Sequence, residues 1–406
     1  MLKRIGALML VALVVCGAAL ATRALSAHST DPSGLTVHEW GTFTSIAGPD
    51  GQAIEWQPLT GPSDLPCFVT LLNPNSVKIG AGGIPALKAT VRMETPVVYF
   101  YSEVPQTVRL AVTFHRGIIS EWYPRAEVAP AAPVPTMTNA LGRIQWTDVK
   151  ITPGAQEHFP VERGASHYYA ARATDASPIQ VGTQQEKFLF YRGLASFPLL
   201  FAATVNPEGN VAIAQTGDRA IDTAILFERR GGKIGYTVVQ AGGKDVVISR
   251  PPLNASVESL RADLHDILTA HGLYSREASA MLETWRDSWF EEGARVFYLL
   301  PQAATDALLP LQMDPKPSSL ARVFVGRVEI ATPEIQTEVA NAILLNDRTV
   351  LRKYGRFLEP ISRIVAPQLT ATHNEGKIPD ALRSVAPLQP TQAACAASRR
   401  STPPTP

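Results

Sequence analysis

From Leu35 to about Arg250 the chain alternates apolar and polar residues with a period of two. The clearest case is Val108, Leu110, Val112 and Phe114, interleaved with Arg109, Ala111 and Thr113, the pattern of a strand with one buried face. Val97–Tyr101 is apolar throughout and reads as a strand buried on both faces, joined to its successor by a hairpin across Glu103–Gln106. Ile144–Trp146, Val149–Ile151, Lys187–Tyr191 and Leu199–Val205 repeat the theme. Turn residues separate such runs at Gly48-Pro49-Asp50-Gly51, at Asn206-Pro207-Glu208-Gly209-Asn210 and at Arg230-Gly231-Gly232-Lys233. Gly, Asn and Asp tolerate the positive φ angles that hairpin turns demand. About a dozen short strands with close turns predict a sandwich-like, mainly antiparallel body over residues 35–250. Val128–Thr136, rich in Ala and Pro, reads as an exposed excursion.

Near Asn254 the period changes to that of a helix. Val257, Leu260, Leu264 and Ile267 recur at steps of three and four, with Asn254 or Ser256 as cap and Gly272 at the stop. Ser275 opens a second helix whose inward face is Ala278, Met281, Leu282, Trp285 and Trp289. Two apolar strands follow, Val296–Leu300 and Val323–Ile330. Thr332-Pro333-Glu334 then starts a third helix, with Ile335, Val339 and Ile343 on one side. A fourth runs from about Thr349 and buries Leu351, Tyr354, Leu358 and Ile361, with Pro360 placed to kink or shorten it. Beyond Gln368 large apolar residues thin out, and residues 369–406 read as a disordered tail. The expected fold class is therefore α+β, with a β-sandwich-like region over 35–250 and a helix-rich α+β region over 254–368.

Residues 1–27 stand apart. Lys3 and Arg4 precede an apolar stretch from Ile5 to Leu20, and small-residue cleavage options follow after Ala21 or Ala27. This is the three-part layout of a secretory signal peptide, and the stretch is shorter than the roughly 20 residues of a bilayer span. A lipid-anchored form cut before Cys16 fits less well, because Val15 is bulkier than the small residue such sites favour. No later segment is long and apolar enough to span a membrane, so the mature chain is expected in the periplasm or secreted, without a membrane span. Export permits a disulfide between the two remaining cysteines, Cys67 and Cys395. Lys plus Arg is 37 and Asp plus Glu is 36, leaving a net charge of +1. With no long run of one sign, the chain carries no electrostatic footprint for nucleic acid.

The stretch that stands out chemically is Val37-His38-Glu39-Trp40-Gly41-Thr42-Phe43-Thr44. In a strand, His38 and Trp40 share one face while Val37 and Glu39 take the other, so His38 and Glu39 do not readily serve one centre. His115 follows the alternating strand on its polar side, and His167 lies in Ser166-His167-Tyr168-Tyr169. Brought together, His38, His115 and His167 would suit zinc or copper, with Glu39 or Glu121 assisting as acid or base. No His-x-His or His-Glu-x-x-His spacing forces that convergence. Glu283, Asp287, Glu291 and Glu292, with Arg286 among them, form the densest acidic cluster and read most simply as a solvated face. Trp285 and Trp289, one turn apart, read as core. No Gly-x-Ser-x-Gly elbow occurs, and Gly80-Ala81-Gly82-Gly83 lacks the Lys-Ser/Thr ending of a phosphate loop.

The run from His38 to Thr44, with Met93-Glu94-Thr95-Pro96 and the following Tyr99-Phe100-Tyr101, resembles a group of exported bacterial proteins of unassigned function. The resemblance extends over most of the mature chain. It implies export and no activity. Two functional readings remain open. One is a non-catalytic exported module that binds or scaffolds an unidentified protein or small-molecule ligand in the periplasm or cell envelope. The other is a metal-dependent extracytoplasmic hydrolase, with zinc or copper on His38, His115 and His167 and with Glu39 or Glu121 as catalytic carboxylates.

Overall fold

The computed structural model describes residues 34–59, 65–72, 87–131, 137–162, 166–216 and 219–385. The expected signal segment and Cys395 lie outside them. Strands β1 (Thr36–Ile46), β2 (Thr70–Leu71), β3 (Val91–Tyr101), β4 (Gln106–His115), β5 (Gly117–Tyr123), β6 (Glu127–Ala129) and β7 (Leu141–Ile151) precede a 3-10 turn at His167–Arg172. Strands β8 (Ile179–Val181), β9 (Gln184–Glu186), β10 (Leu189–Ala195), β11 (Phe201–Val205), β12 (Val211–Gln215), β13 (Thr223–Arg230), β14 (Lys233–Gln240) and β15 (Val246–Ile248) follow. The C-terminal part holds α1 (Val257–Ala270), α2 (Ser275–Thr284), β16 (Gly293–Leu299), α3 (Gln302–Leu308), β17 (Leu311–Asp314) and β18 (Ser319–Ile330). It ends in α4 (Pro333–Leu345), α5 (Arg348–Lys353), α6 (Leu358–Thr370) and α7 (Ile378–Val385).

Among the described residues the main sheet has fifteen strands, ordered β14–β13–β16–β18–β1–β3–β10–β5–β7–β4–β17 along its principal path. Strands β11, β12 and β15 form a second sheet of three. Pairing is antiparallel except for β1 with β18 and a single bridge between β5 and β7. The sheet turns back over its own core. Phe114 of β4 stacks on Phe43 of β1 with ring centroids 6.3 Å apart, although four strands lie between β1 and β4 in the sheet order. The small sheet adds Phe201, Val211, Ile213 and Ile248 to the same core.

The hairpin expected across Glu103–Gln106 does not form. Strand β3 pairs with β1 and β10, and β4 pairs with β7 and β17. The physical reason is burial on both faces of β3: Val98 and Phe100 share one core with Val108, Leu110, Val112 and Phe114, so β4 lies across the core from β3 instead of beside it. The β-rich and helix-rich regions also share one sheet, because β16 and β18 sit between β13 and β1. Apolar strands such as Val323–Ile330 need neighbours on both edges as well as cover on both faces. The packed chain continues past residue 369, where the sequence suggests a tail. Leu369 and Ala381 are buried, and Ile378, Leu382 and Val385 pack against the same cluster as α4 and α6. The fourth helix breaks at Gly355, which adopts φ 47°, ahead of Pro360. Pro360 then occupies the first turn of α6, where a missing N–H costs no helical bond.

Strand β1 is buried along nearly its whole length. Val37 and Phe43 face the core beneath β4 and β7, Trp40 packs under α1 and α2, and Ile46 packs under α4 and α6. Its register with β3 slips between Trp40 and Thr42, and the β3–β10 register slips between Phe190 and Gly193. At this bend Gly41 makes room for the ring of Phe324: a Cβ there would lie 2.7 Å from Phe324 Cε1 and 3.1 Å from Pro96 Cα. Buried Thr95, beside Pro96, holds a φ of 48°, a strained conformation for a β-branched residue.

Candidate functional site

His38 projects from β1 toward the N-terminus of α2. Its Nδ1 lies 2.7 Å from Glu277 Oε2. A carboxylate oxygen is an acceptor, so the ring N–H donates. Glu277 Oε1 accepts from the Tyr101 hydroxyl at 2.9 Å, and Oε2 also accepts from the Tyr274 backbone N–H at 2.7 Å. One carboxylate with no solvent exposure therefore caps α2 and ties it to β1 and β3. The rings of Tyr101 and Tyr274 close over the imidazole at 5.4 and 4.4 Å. Burial, and then Glu277, push the Tyr101 phenol well above its ordinary range. The geometry orients a histidine as an acid–base pair would, but only 4% of its side chain reaches solvent.

Glu39 points to the opposite face, as strand alternation requires. Its Oε2 accepts from Arg322 Nε at 2.6 Å, and its Oε1 accepts from the Tyr191 hydroxyl. Arg322 Nη1 continues to Asp306 Oδ1 at 2.8 Å. Burial, and then the Glu39 charge, raise Tyr191 far above the usual phenol value. The Glu39 group is a structural ion pair inside the sheet. Glu121 accepts from the Ser120 hydroxyl and lies 3.9 Å from Arg92 Nη2.

The remaining histidines take separate surroundings. His115 ends β4 as an exposed residue. His167 opens the 3-10 turn, with Nε2 2.7 Å from Asp287 Oδ2. Among the described residues, no group of three or more His, Cys, Asp and Glu side chains converges to hold a metal ion. The acidic cluster is divided up in the same way. Glu283 pairs with Arg261 and Arg286, Glu291 with Arg327, and Glu292 accepts from the Gly231 N–H. Trp285 and Trp289 stack with centroids 6.3 Å apart inside the core.

Beside the His38 cluster, a groove of about 500 Å3 opens to solvent. Its polar walls include Ser102, Glu157, Thr174, Asp175, Lys187 and Arg276. Lys187 pairs with Glu157 at 2.5 Å, and Arg276 pairs with Asp175. Two cations face two carboxylates, so the groove carries no net charge. Ser102 follows Tyr101 in the chain and Arg276 lies two residues beyond Tyr274, but the walls of the groove do not include either tyrosine. Tyr274 is 48% exposed.

No family model matches the chain. A search of curated proteins finds no significant match either. Several residues that build these sites, Glu277, Tyr191, Arg322 and Asp306 among them, escape a motif-based reading. Two signals point to them. Tyr274-x-x-Glu277 has the spacing of a capping box, and Arg322 interrupts the apolar run Leu320–Val325, where an unpaired charge would be costly.

Proposed function

We propose that the chain is an exported, non-catalytic binding module that takes a neutral, hydroxyl-rich ligand, of the class of a short saccharide, in the groove beside Tyr101 and Tyr274. The observation that carries this reading is the charge balance of the groove. Glu157 and Asp175 against Lys187 and Arg276 offer many hydrogen bonds and no net field, which suits hydroxyl groups better than a charged ligand. Tyr274, two residues from Arg276 and 48% exposed, offers an apolar ring face for a pyranose.

Export is supported by the Lys3–Ala27 layout, by the resemblance around His38–Thr44, and by Cys67, which is disulfide-bonded. Cys395, the partner considered from the sequence, lies outside the described residues. Among the described residues no helix is long and apolar enough to cross a membrane. The inward turn of the sheet, with β11, β12 and β15 on its core, supports reading the body as sandwich-like.

Calorimetric titration with a β-1,4-linked N-acetylglucosamine tetramer and with maltotetraose tests the proposal. One of the two is expected to bind saturably. Asp175→Ala and Tyr274→Ala should each weaken it about tenfold, the worth of one good polar or stacking contact. Asp175 is exposed, so its variant should keep the fold; the Tyr274 ring also packs on His38 and Tyr101, so Tyr274→Phe, which keeps the ring, should bind as the wild type does. Absence of binding by both saccharides, or equal binding by both variants, would overturn the reading.

A further inference from the structure

Cys67 is disulfide-bonded, and its partner follows from the few cysteines present. The chain holds three, Cys16, Cys67 and Cys395, so within one chain the second sulfur belongs to Cys16 or to Cys395. Cys16 lies in the apolar stretch of the expected signal segment and leaves with it, whether the cut falls after Ala21 or after Ala27. Cys395, outside the described residues, stays in the mature chain under either cut.

The described chain brings the approaches to both cysteines together. Trp56, eleven residues before Cys67, shares one apolar cluster with Ala381 of α7, and its ring lies 5.6 Å from that of Phe357. Arg363 of α6 donates to the Glu55 carbonyl. The chain therefore approaches Cys67 along the same helices from which it departs toward Cys395. Ten residues lead on from Val385, the last of α7, to Cys395, a reach of at most about 36 Å.

Cys67 also holds one wall of the groove. Residues 152–162 form no strand or helix, and Pro153, Gly154, Ala155 and Glu157 among them line the groove. At the end of this stretch Glu162 Oε2 accepts from the Cys67 backbone N–H at 2.7 Å, and the Glu162 N–H donates to the Tyr169 hydroxyl oxygen at 3.0 Å. Around Cys67 the anchoring is light. Two residues of β2 pair with β5, and the Phe68 ring rests on Tyr123 and Tyr168 at 4.7 and 5.5 Å. A segment with few ladder bonds depends on such attachments for its order.

We infer that Cys67 and Cys395 form a disulfide that ties the C-terminal segment to residues 65–72 and, through Glu162, braces the wall of the groove. The inference rests on the export reading, which removes Cys16 and supplies an oxidising compartment. In the closing step the two thiols lose two protons and two electrons to form one S–S bond, and the disulfide of an exchange catalyst is reduced to two thiols. The cross-link closes a loop over most of the mature chain and restricts its unfolded ensemble.

Peptide mapping of the exported chain, alkylated with iodoacetamide before extraction and digested without reductant, tests the pairing. The expected product is one peptide pair joining Cys67 to Cys395, which dithiothreitol separates. Cys395→Ser should expose one alkylatable thiol per chain, at Cys67, and lower Tm by about 5 °C. It should also speed hydrogen exchange over residues 153–162 severalfold. If that variant does not fold, native reduction of the wild type with dithiothreitol reads the same changes. Two alkylated thiols on a chain trimmed after Ala21 or Ala27, or a Cys67–Cys67 link between copies, would overturn the pairing and leave export standing. A Cys16–Cys67 link on a chain that still begins at Met1 would overturn both. Unchanged exchange over 153–162 once the bond is removed would overturn the brace.

Discussion

Arg322→Met is expected to lower the free energy of unfolding by about 3–5 kcal/mol, because it leaves the Glu39 carboxylate buried without its partner. Glu39 has no solvent exposure, and its two oxygens are held by Arg322 and by the equally buried Tyr191. The cost arises from the orphaned charge more than from the lost attraction. The double variant Glu39→Leu with Arg322→Met should therefore be more stable than Arg322→Met alone, since it removes both charges and leaves apolar groups in their place. Urea unfolding of the wild type, Arg322→Met, Glu39→Leu and the double variant, followed by tryptophan fluorescence, measures the cycle. A loss of less than about 1 kcal/mol in Arg322→Met would place the pair in the class of weak surface bridges, and Glu39 would again be free for chemistry.

Acid should loosen the centre of the sheet through Glu94. Burial acts to raise its carboxyl, but Arg356, followed by Arg92 and Arg192, holds it at about 2 against an ordinary value of 4.5. A folded pKa below the unfolded one means that the native state binds fewer protons. The stabilisation is therefore complete above the unfolded value and is lost as pH falls toward 2. A shift of this size corresponds to about 3 kcal/mol. Urea midpoints measured between about pH 6 and pH 2 should fall across that window. Glu94→Gln, less stable at neutral pH, should show a visibly shallower fall. An identical slope in the variant would show that Glu94 is not the group that titrates.

Much of the secondary structure is legible in the sequence because burial writes a period. Val108 to Phe114 announces a one-sided strand, and Val257 to Ile267 a helix, from spacing alone. Pairing is less legible. Short connections normally mean neighbours, so Val97–Tyr101 and Val108–Phe114 read as a hairpin. Nothing local reveals that both strands turn apolar faces into one shared core. The end of the fold is misread for a related reason. The helix at Ile378–Val385 packs a stripe of Ile378, Ala381, Leu382 and Val385, but it is only eight residues long and follows a polar stretch, so the thinning of large apolar residues masks it.

The candidate chemistry shows the same division. Alternation correctly separates His38 from Glu39, since one meets Glu277 beneath α2 and the other meets Arg322 in the sheet. The partners themselves are 239 and 283 residues distant in sequence, and no spacing rule reaches that far. His115 and His167 are ordinary in sequence and remain so in the fold, one exposed at a strand end and the other paired with Asp287. The groove is the least legible feature. Its walls come from Ser102, from the segment around Glu157, from Thr174 to Lys187 and from Arg276, pieces of loop, strand and helix far apart in sequence that no local pattern joins.

Hydrogen–deuterium exchange of the exported chain, with and without the saccharide that binds it, locates the ligand directly. The expected result is slowed exchange confined to Tyr101–Ser102, residues 153–157, residues 174–178 and the first turn of α2 around Arg276. Protection at the β4–β5 turn around His115 or at Glu121, with the groove unchanged, would contradict a binding site in the groove.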